Sequence, residues 1–202
     1  MLLLAGCGAK PTKPDASSNG DSKVKSWTEP PKMEIDTSKT YKAHVTTSKG
    51  KFTIELFAKD APITVNNFVF LSKQGFYNGV TFHRIIEDFM IQTGDPTGTG
   101  GGGPGYTIKD ELGSKHSYEP GTVAMANAGA NTNTGGSQFF ICTTEKSSEI
   151  LNPQPYYSIF GKIVEGMDTV LNIAATPVEM ASGEMSKPTE KVTINSIEIE
   201  EK

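Results

Sequence analysis

Apolar and polar positions alternate over Tyr41–Thr47 and again over Lys51–Phe57, where Phe52, Ile54 and Leu56 are interleaved with Thr53 and Glu55. A period of two predicts half-buried β-strands, and Ser48-Lys49-Gly50 between them predicts a hairpin turn. The period then lengthens. Val65, Phe68, Val69 and Ser72 fall on one helical stripe, with Asp60 near the N-cap, Pro62 in the first turn and Gly75 past the end. That pattern predicts a helix covering the core through Phe68 and Val69. Strand-like apolar runs follow at Val80–Ile86, Phe89–Gln92, Gly121–Ala126, Gln138–Thr143 and Ser158–Val164. Met167, Val170, Leu171 and Ala174 have helical spacing and predict a second helix over Met167–Ala174. The last run, Val192–Ile199, alternates through Val192, Ile194, Ile197 and Ile199, and there is no internal repeat.

Many short strands with only two helices predict a mainly β fold, a closed antiparallel barrel that leaves no exposed sheet edge. The two helices would plug its ends. This folded part spans residues 40–202. Residues 8–39 are rich in Lys, Ser, Pro, Asp and Thr, with Trp27 and Met33 isolated among them. Such a stretch cannot bury enough apolar surface to offset its ordering entropy, so it reads as a flexible tether. Residues 1–7 end in Leu4-Ala5-Gly6-Cys7, which resembles a bacterial lipobox, where the cysteine is lipidated after cleavage. The basic region and the apolar stretch of about 7–15 residues that a full signal peptide carries are absent or short, so residues 1–7 read as a partial signal.

Composition narrows the function. The chain has 202 residues, 36% hydrophobic and 21% charged, with a net charge of −4 and no dense Lys/Arg block. A nucleic-acid partner, which calls for a basic face, is disfavoured. Cys7 and Cys142 are far apart, and His44, His83 and His116 are scattered. They supply neither a disulfide framework nor a metal-ligand cluster. No apolar run approaches the roughly 20 residues of a spanning helix.

Three segments place polar residues beside large apolar ones: Phe82-His83-Arg84-Ile85-Ile86 leading to Phe89-Met90-Ile91-Gln92-Thr93-Gly94-Asp95; Met125-Ala126-Asn127-Ala128-Gly129 leading to Ser137-Gln138-Phe139-Phe140-Ile141; and Ile150-Leu151-Asn152 leading to Tyr156-Tyr157. Taken singly, Phe89, Met90 and Phe140 read as core and Arg84 as a surface charge. Taken together they resemble the cyclophilin family of peptidyl-prolyl cis-trans isomerases, from Tyr41 to Ile199. The resemblance implies an eight-stranded antiparallel barrel capped by two α-helices, a monomer, and rotation of X-Pro bonds in peptides and unfolded proteins without cofactor or metal. It implies Arg84 as the catalytic arginine, with Gln92 steadying Arg84 and the substrate carbonyl. Phe89, Met90, Phe140 and Leu151 become walls of a proline pocket. Asn127 would hold the peptide through its main chain, and Ala126, Ala128 and Gln138 would form the neighbouring peptide surface. Tyr157 stands where many relatives have histidine. A frequent tryptophan of the family is Ile150 here, beside an apparent insertion at Asn152–Pro155, which implies only weak binding of cyclosporin-like inhibitors.

Other motifs lead elsewhere. Gly98–Gly105 contains G-x-G-x-x-G, but Pro104-Gly105 starts no helix and no phosphate-binding lysine follows, so it reads as a long loop. His83 lacks a Ser or Asp partner in motif and reads as structural. Cys142, in an apolar run, reads as an inert buried thiol, and Lys109-Asp110-Glu111 as a solvated turn. The expectation is an extracytoplasmic foldase held to the bacterial cell membrane through a lipid on Cys7. A tethered peptide-binding or holdase module and a surface adhesion role stand as alternatives.

Overall fold

The computed structural model describes residues 24–202. Residues 1–23, with Cys7 and the first half of the expected tether, lie outside the described residues. The chain order is β1 (Tyr41–Thr47), β2 (Gly50–Leu56), α1 (Pro62–Lys73), β3 (Arg84–Ile86), β4 (Met90–Thr93), β5 (Thr122–Met125), β6 (Phe139–Cys142), α2 (Glu145–Leu151), β7 (Ile159–Glu165), α3 (Met167–Ala174), β8 (Val178–Ala181), β9 (Glu184–Pro188) and β10 (Ile194–Glu201). Eight strands form one antiparallel sheet in the order β10-β1-β2-β7-β5-β6-β4-β3, and β8 pairs with β9 alone.

The sheet curls, but it is not the closed barrel expected from sequence. Its end strands β3 and β10 do not pair; only an isolated bridge, Thr81–Thr193, spans the seam. Around it Phe82 N–H donates to the Val192 carbonyl (3.0 Å) and Ile194 N–H to the Val80 carbonyl (2.8 Å). Val80–Ile86, expected as one strand, is therefore divided between two neighbours. The edge of β3 is covered by β9 packing beside it, an alternative to closure for protecting a strand edge. Among the described residues there are three helices rather than two. The extra one, α2, carries little apolar periodicity in Glu145-Lys146-Ser147-Ser148-Glu149-Ile150-Leu151, which is why the sequence pattern did not predict it.

The main core lies between the sheet and α1. Val65, Phe68 and Leu71 meet Phe52, Ile54, Ile85, Ile91, Phe139, Phe160 and Ile194 there. Phe68 sits 5.2–5.5 Å, ring to ring, from Phe160, Tyr77 and Phe139. On α3 the buried residues are Val170, Ile173 and Ala174, while Leu171, expected on the inner stripe, is exposed.

Helix α1 is buried beyond its predicted stripe, at Thr64, Asn66 and Asn67 as well. Thr64 donates to Glu111, and Asn67 accepts from Tyr106 and donates to the Gly136 carbonyl, while Asn66 is covered by the stretch of residues 26–36, which composition assigned to the tether. Asn66 Oδ1 accepts from Glu34 N–H (2.8 Å) and its Nδ2 donates to the Lys32 carbonyl (2.9 Å). Trp27 stands edge-on to Phe70 at 5.2 Å, and its N–H donates to the Pro104 carbonyl (2.8 Å). Gly105 has φ +94°, and a Cβ there would overlap Ser26 and the Trp27 carbonyl; only glycine fits such a backbone at such a contact. The order of residues 26–36 thus comes from partners 31 to 78 positions away in sequence.

The N-terminus of α1 lies beside Asp60, with Pro62 in its first turn, as expected. Its N-cap is Ala61, with no side-chain cap. Glu111 takes that role from a distance, accepting from Ile63 N–H (3.0 Å) and Thr64 N–H (2.8 Å). A carboxylate there meets both orphan donors and the positive end of the helix dipole. Lys109–Glu111 is therefore a docking segment rather than a solvated turn. Asp60 is engaged instead by His116 (3.0 Å) and Lys115 (3.1 Å).

Candidate active site

Side-chain alternation in β4 and β6 separates two environments. Ile91, Phe139 and Ile141 face the main core, whereas Met90, Phe140 and Cys142 join Ala124, Tyr118, Leu151 and Ile159 in a second cluster on the opposite face. Strand register then assembles a row across this outer face. Arg84 is opposite Gln92, Gln92 opposite Phe140, and Phe140 opposite Ala124. Opposed residues on one face have Cβ atoms about 4.5–5.5 Å apart, so four strands deliver a cation, an amide and an aromatic ring to one patch.

Above this row lies a pocket of about 200 Å³ lined by Arg84, Phe89, Met90, Gln92, Ala126, Asn127, Phe140, Leu151 and Tyr157. All nine were singled out from the sequence. The remaining two, Ala128 and Gln138, line an adjacent pocket of about 370 Å³ that shares Gln92, Ala126 and Asn127 and is walled by Gly100–Gly103, Pro104 and Tyr106.

Helix α2 forms one rim. Hydroxyls tie it and its approach to the β3–β4 turn: Thr143 Oγ1 donates to the Glu87 carbonyl (2.8 Å), Thr144 Oγ1 to the Asp88 carbonyl (2.5 Å) and Ser147 Oγ to the Phe89 carbonyl. Leu151 and Phe89 are thereby held together. Tyr157 stacks edge-on against Phe140 at 5.1 Å. Its main chain is clamped by Tyr118, whose hydroxyl donates to the Tyr157 carbonyl (2.7 Å) and accepts from its N–H (3.0 Å). Burial pushes the Tyr118 phenol up to about 12, so this clamp stays protonated. Beneath the pocket Cys142 is fully buried, and burial pushes its thiol up to about 12; it has no thiolate with which to react.

The side chain of Asn127 is spent on its own loop, donating to the Tyr156 carbonyl (2.9 Å) and to Asp110 (3.3 Å) and accepting from Gly129 N–H (3.1 Å). Among the described residues its main-chain N–H and carbonyl take no protein partner, which leaves them for an extended peptide. Gln92 donates to Gln138 Oε1 (3.0 Å), and Gln138 donates onward to the Gly100 and Gly102 carbonyls (both 2.9 Å). The glycine loop is itself wrapped around Asp95, which accepts from the N–H groups of Thr97 (2.7 Å), Thr99 (3.0 Å), Gly100 (2.6 Å) and Gly102 (3.1 Å).

Gln92, expected to steady Arg84, lies opposite it in the strand register but makes no hydrogen bond to its side chain. Arg84 is held by Glu184: Nε donates to Oε2 at 2.8 Å and Nη2 to Oε1 at 2.9 Å. Its Nη1 points to Met90 Sδ, 3.8 Å away on the pocket floor. The carboxylate takes two parallel donors because the guanidinium fork matches it, and the Arg84 hydrogen bonds hold the Glu184 carboxyl below its ordinary value. With 36% and 41% of the side chains exposed, the pair contributes only about 0–1 kcal/mol to stability. Sequence reading missed Glu184. The signal was Ser182-Gly183, a two-residue turn between Ala181 and Glu184, but the flanking strands are too short to stand out.

His83, next to Arg84, has a buried Nδ1 with no partner among the described residues. Burial pulls its pKa below the ordinary 6.5, and no Ser or Asp side chain bonds it, so nothing here resembles a hydrolytic triad. Among the described residues no group of three or more His, Cys, Asp and Glu side chains is placed to hold a metal ion.

Comparison with known proteins agrees with this geometry. Residues 42–199 match the sequence model of the family described as "Cyclophilin type peptidyl-prolyl cis-trans isomerase/CLD". A putative peptidyl-prolyl cis-trans isomerase of Staphylococcus epidermidis is 42% identical over 182 residues, covering 77% of this chain and 89% of that protein. A peptidyl-prolyl cis-trans isomerase of Helicobacter pylori is 44% identical over 140 residues, covering 68% and 82%. Among solved structures, a cyclophilin type isomerase of Cryptosporidium parvum aligns with TM-score 0.71 at 35% identity, covering 80% of this chain and 98% of that one. The same isomerase in the presence of the dipeptide Ala-Pro aligns with TM-score 0.70 at 35% identity, covering 79% and 98%. A pocket with apolar walls under an arginine, open main-chain groups beside it and the family match over residues 42–199 lead to one conclusion: the chain belongs to the cyclophilin-type peptidyl-prolyl cis-trans isomerases.

Proposed function

We propose that Arg84 and the pocket beneath it carry the isomerase reaction, and that the working substrates are extended X-Pro segments of proteins exported across a bacterial membrane. The observation that carries the first part is the Nη1 edge of Arg84, left over the Met90 floor of the pocket while its other edge is occupied. Rotation about an X-Pro amide must break its resonance, against a barrier of about 18–20 kcal/mol. In the twisted state the proline nitrogen regains a lone pair. A permanent cation that donates a hydrogen bond to that nitrogen stabilises the twisted state more than the planar one, and only that difference accelerates the reaction. Phe89, Met90, Phe140 and Leu151 take the proline ring, the Asn127 main chain aligns the preceding residue, and Gln92 with Gln138 lines the next subsite. The structure of the Cryptosporidium relative in the presence of the dipeptide Ala-Pro supports a proline-containing ligand here. No nucleophile, metal or cofactor enters this scheme, and every residue in it comes from one chain.

Turnover and protection of unfolded clients, measured side by side in Arg84→Ala, test this reading. Both fall together if the enzyme does the work. Retained protection with lost turnover would instead support a holdase.

The lipobox-like Leu4-Ala5-Gly6-Cys7 and the bacterial relatives support anchoring to the cell membrane through a diacylated Cys7. Among the described residues no helix is long and apolar enough to cross a membrane, and a diacyl anchor needs none. Mass spectrometry of the membrane fraction should find Cys7 as the lipidated N-terminus; a free Cys7 thiol there would contradict the anchor.

The position of Ile150 supports weak cyclosporin binding. It is 48% exposed on α2, one residue before the pocket-lining Leu151, and offers no donor where an indole N–H would stand. Inhibition should need well above nanomolar cyclosporin while turnover of simple X-Pro peptides persists. Nanomolar inhibition would remove this expectation.

A further inference from the structure

Glu184 is the first residue after a tight turn. Ser182 (φ 51°) and Gly183 (φ 85°) both lie in the left-handed region, the geometry of a two-residue type I′ hairpin turn. Ala181 pairs with Glu184 across it, and β9 packs beside β3, which carries Arg84. The carboxylate is thus delivered to Arg84 by a short hairpin rather than by a free loop.

The pair has a definite sense of direction. Glu184 occupies the Nε–Nη2 edge of the guanidinium and nothing else of it. The Nη1 edge is left facing Met90 and the pocket. A carboxylate meant to sequester the arginine would draw it off the pocket; this one holds the far side of the planar group and turns the near side inward. Two parallel bonds also fix the guanidinium plane, which a single bond would not. An unclamped arginine would sample many rotamers over an open site, and small misplacements of a catalytic donor cost large factors in rate.

We propose that Glu184 is a positioning residue of the isomerase, clamping the Nε–Nη2 edge of Arg84 so that Nη1 is presented to the X-Pro amide. This rests on the reading of Arg84 as the catalytic donor. The clamp acts on the twisted state and not on the pocket walls that bind the peptide, so its loss falls on kcat and spares KM.

The test uses Glu184→Gln, which replaces one accepting oxygen by an amide N–H₂ and so cannot take both donors. Its kcat should fall about tenfold, with KM within about twofold, by analogy with other losses of preorganisation. In ¹⁵N spectra the Arg84 Nε–Hε cross-peak, sharp and protected in the wild type, should broaden or move. Glu184→Asp keeps both oxygens and should recover part of kcat. Glu179→Gln, which removes the partner of Lys187 on the same hairpin (2.7 Å), should leave kcat unchanged. Wild-type kcat in Glu184→Gln would overturn the proposal, and a raised kcat would show that the carboxylate restrains the arginine instead. Arg84→Ala in the same series separates the two claims. If it loses activity while Glu184→Gln does not, only the clamp fails. If Arg84→Ala stays active, the reading of Arg84 and the clamp fall together.

Discussion

Arg84→Ala is expected to lower kcat/KM for X-Pro turnover by about 10²–10³, the range seen when one preorganised donor to a transition state is removed. The pocket walls Phe89, Met90, Phe140 and Leu151 come from β4, β6, α2 and the turn before β4, so deleting the guanidinium leaves them standing and substrate affinity close to wild type. Stability should change little, because Arg84 is partly exposed and its ion pair with Glu184 is a surface pair. Arg84→Lys should recover only part of the rate. An ammonium can supply charge, but it lacks the planar fork that lets Glu184 hold one edge while the other faces the amide. A standard X-Pro turnover assay with both variants checks this. Wild-type activity in Arg84→Ala would remove the donor from the account.

The second large effect is expected at Asp95, which touches neither Arg84 nor the pocket. Its carboxylate is fully buried and takes four main-chain N–H groups of the glycine loop and the Thr97 hydroxyl. Burial alone pushes this carboxyl up, but the Thr97 hydroxyl and the N–H groups of Gly102, Thr97 and Gly100 outweigh it and hold it at about 2 against an ordinary 3.8. Asp95→Ala leaves those donors without an acceptor, at about 3 kcal/mol for charged hydrogen bonds lost from a buried site. The midpoint of urea unfolding should fall accordingly. The site should suffer as well, since Gly100 and Gly102 anchor Gln138, and Gln138 anchors Gln92. The same group sets an acid limit. A carboxyl with a depressed folded pKa gives its full stabilisation above its unfolded value and loses it as pH falls through the folded one. The Asp95 contribution, about 2 kcal/mol, is therefore present above pH 3.8 and lost as pH falls through about 2. His83 begins an earlier loss. Its folded pKa is lowered, so the unfolded chain takes up the proton first once pH drops below about 6.5, and stability declines from there. An unfolding free energy independent of pH across the acid range would contradict both assignments.

Much of the site was legible because it is carried by local pattern. Side chains along Phe89-Met90-Ile91-Gln92 and along Gln138-Phe139-Phe140-Ile141 alternate with period two, so Met90 shares a face with Gln92, and Gln138 with Phe140, whatever the wider topology; the register of β4 on β6 then joins the two pairs. What escaped the sequence depends on contacts between distant segments. Trp27 looked isolated in a polar stretch, yet it finds Phe70 and Pro104. Glu111 looked solvated, yet it caps a helix that starts 49 positions earlier at Pro62. Glu184 carries no motif, and only the fold brings it to Arg84, 100 positions away. Closure was over-read for a related reason. Strand count suggests a barrel, but whether the last strands meet is decided by the seam at Thr81 and Thr193, where only one bridge forms.

Two-dimensional exchange NMR on a short Ala-Pro peptide with catalytic amounts of ¹⁵N-labelled protein tests the central claim most directly, because peptide turnover and the binding surface are read from one sample. Cis-trans exchange peaks are expected with the wild type and should vanish with Arg84→Ala, and peptide-induced shifts should gather on Arg84, Gln92, Ala126, Asn127, Phe140 and Tyr157. Exchange that persists in Arg84→Ala, or shifts gathered away from this face of the sheet, would contradict that claim.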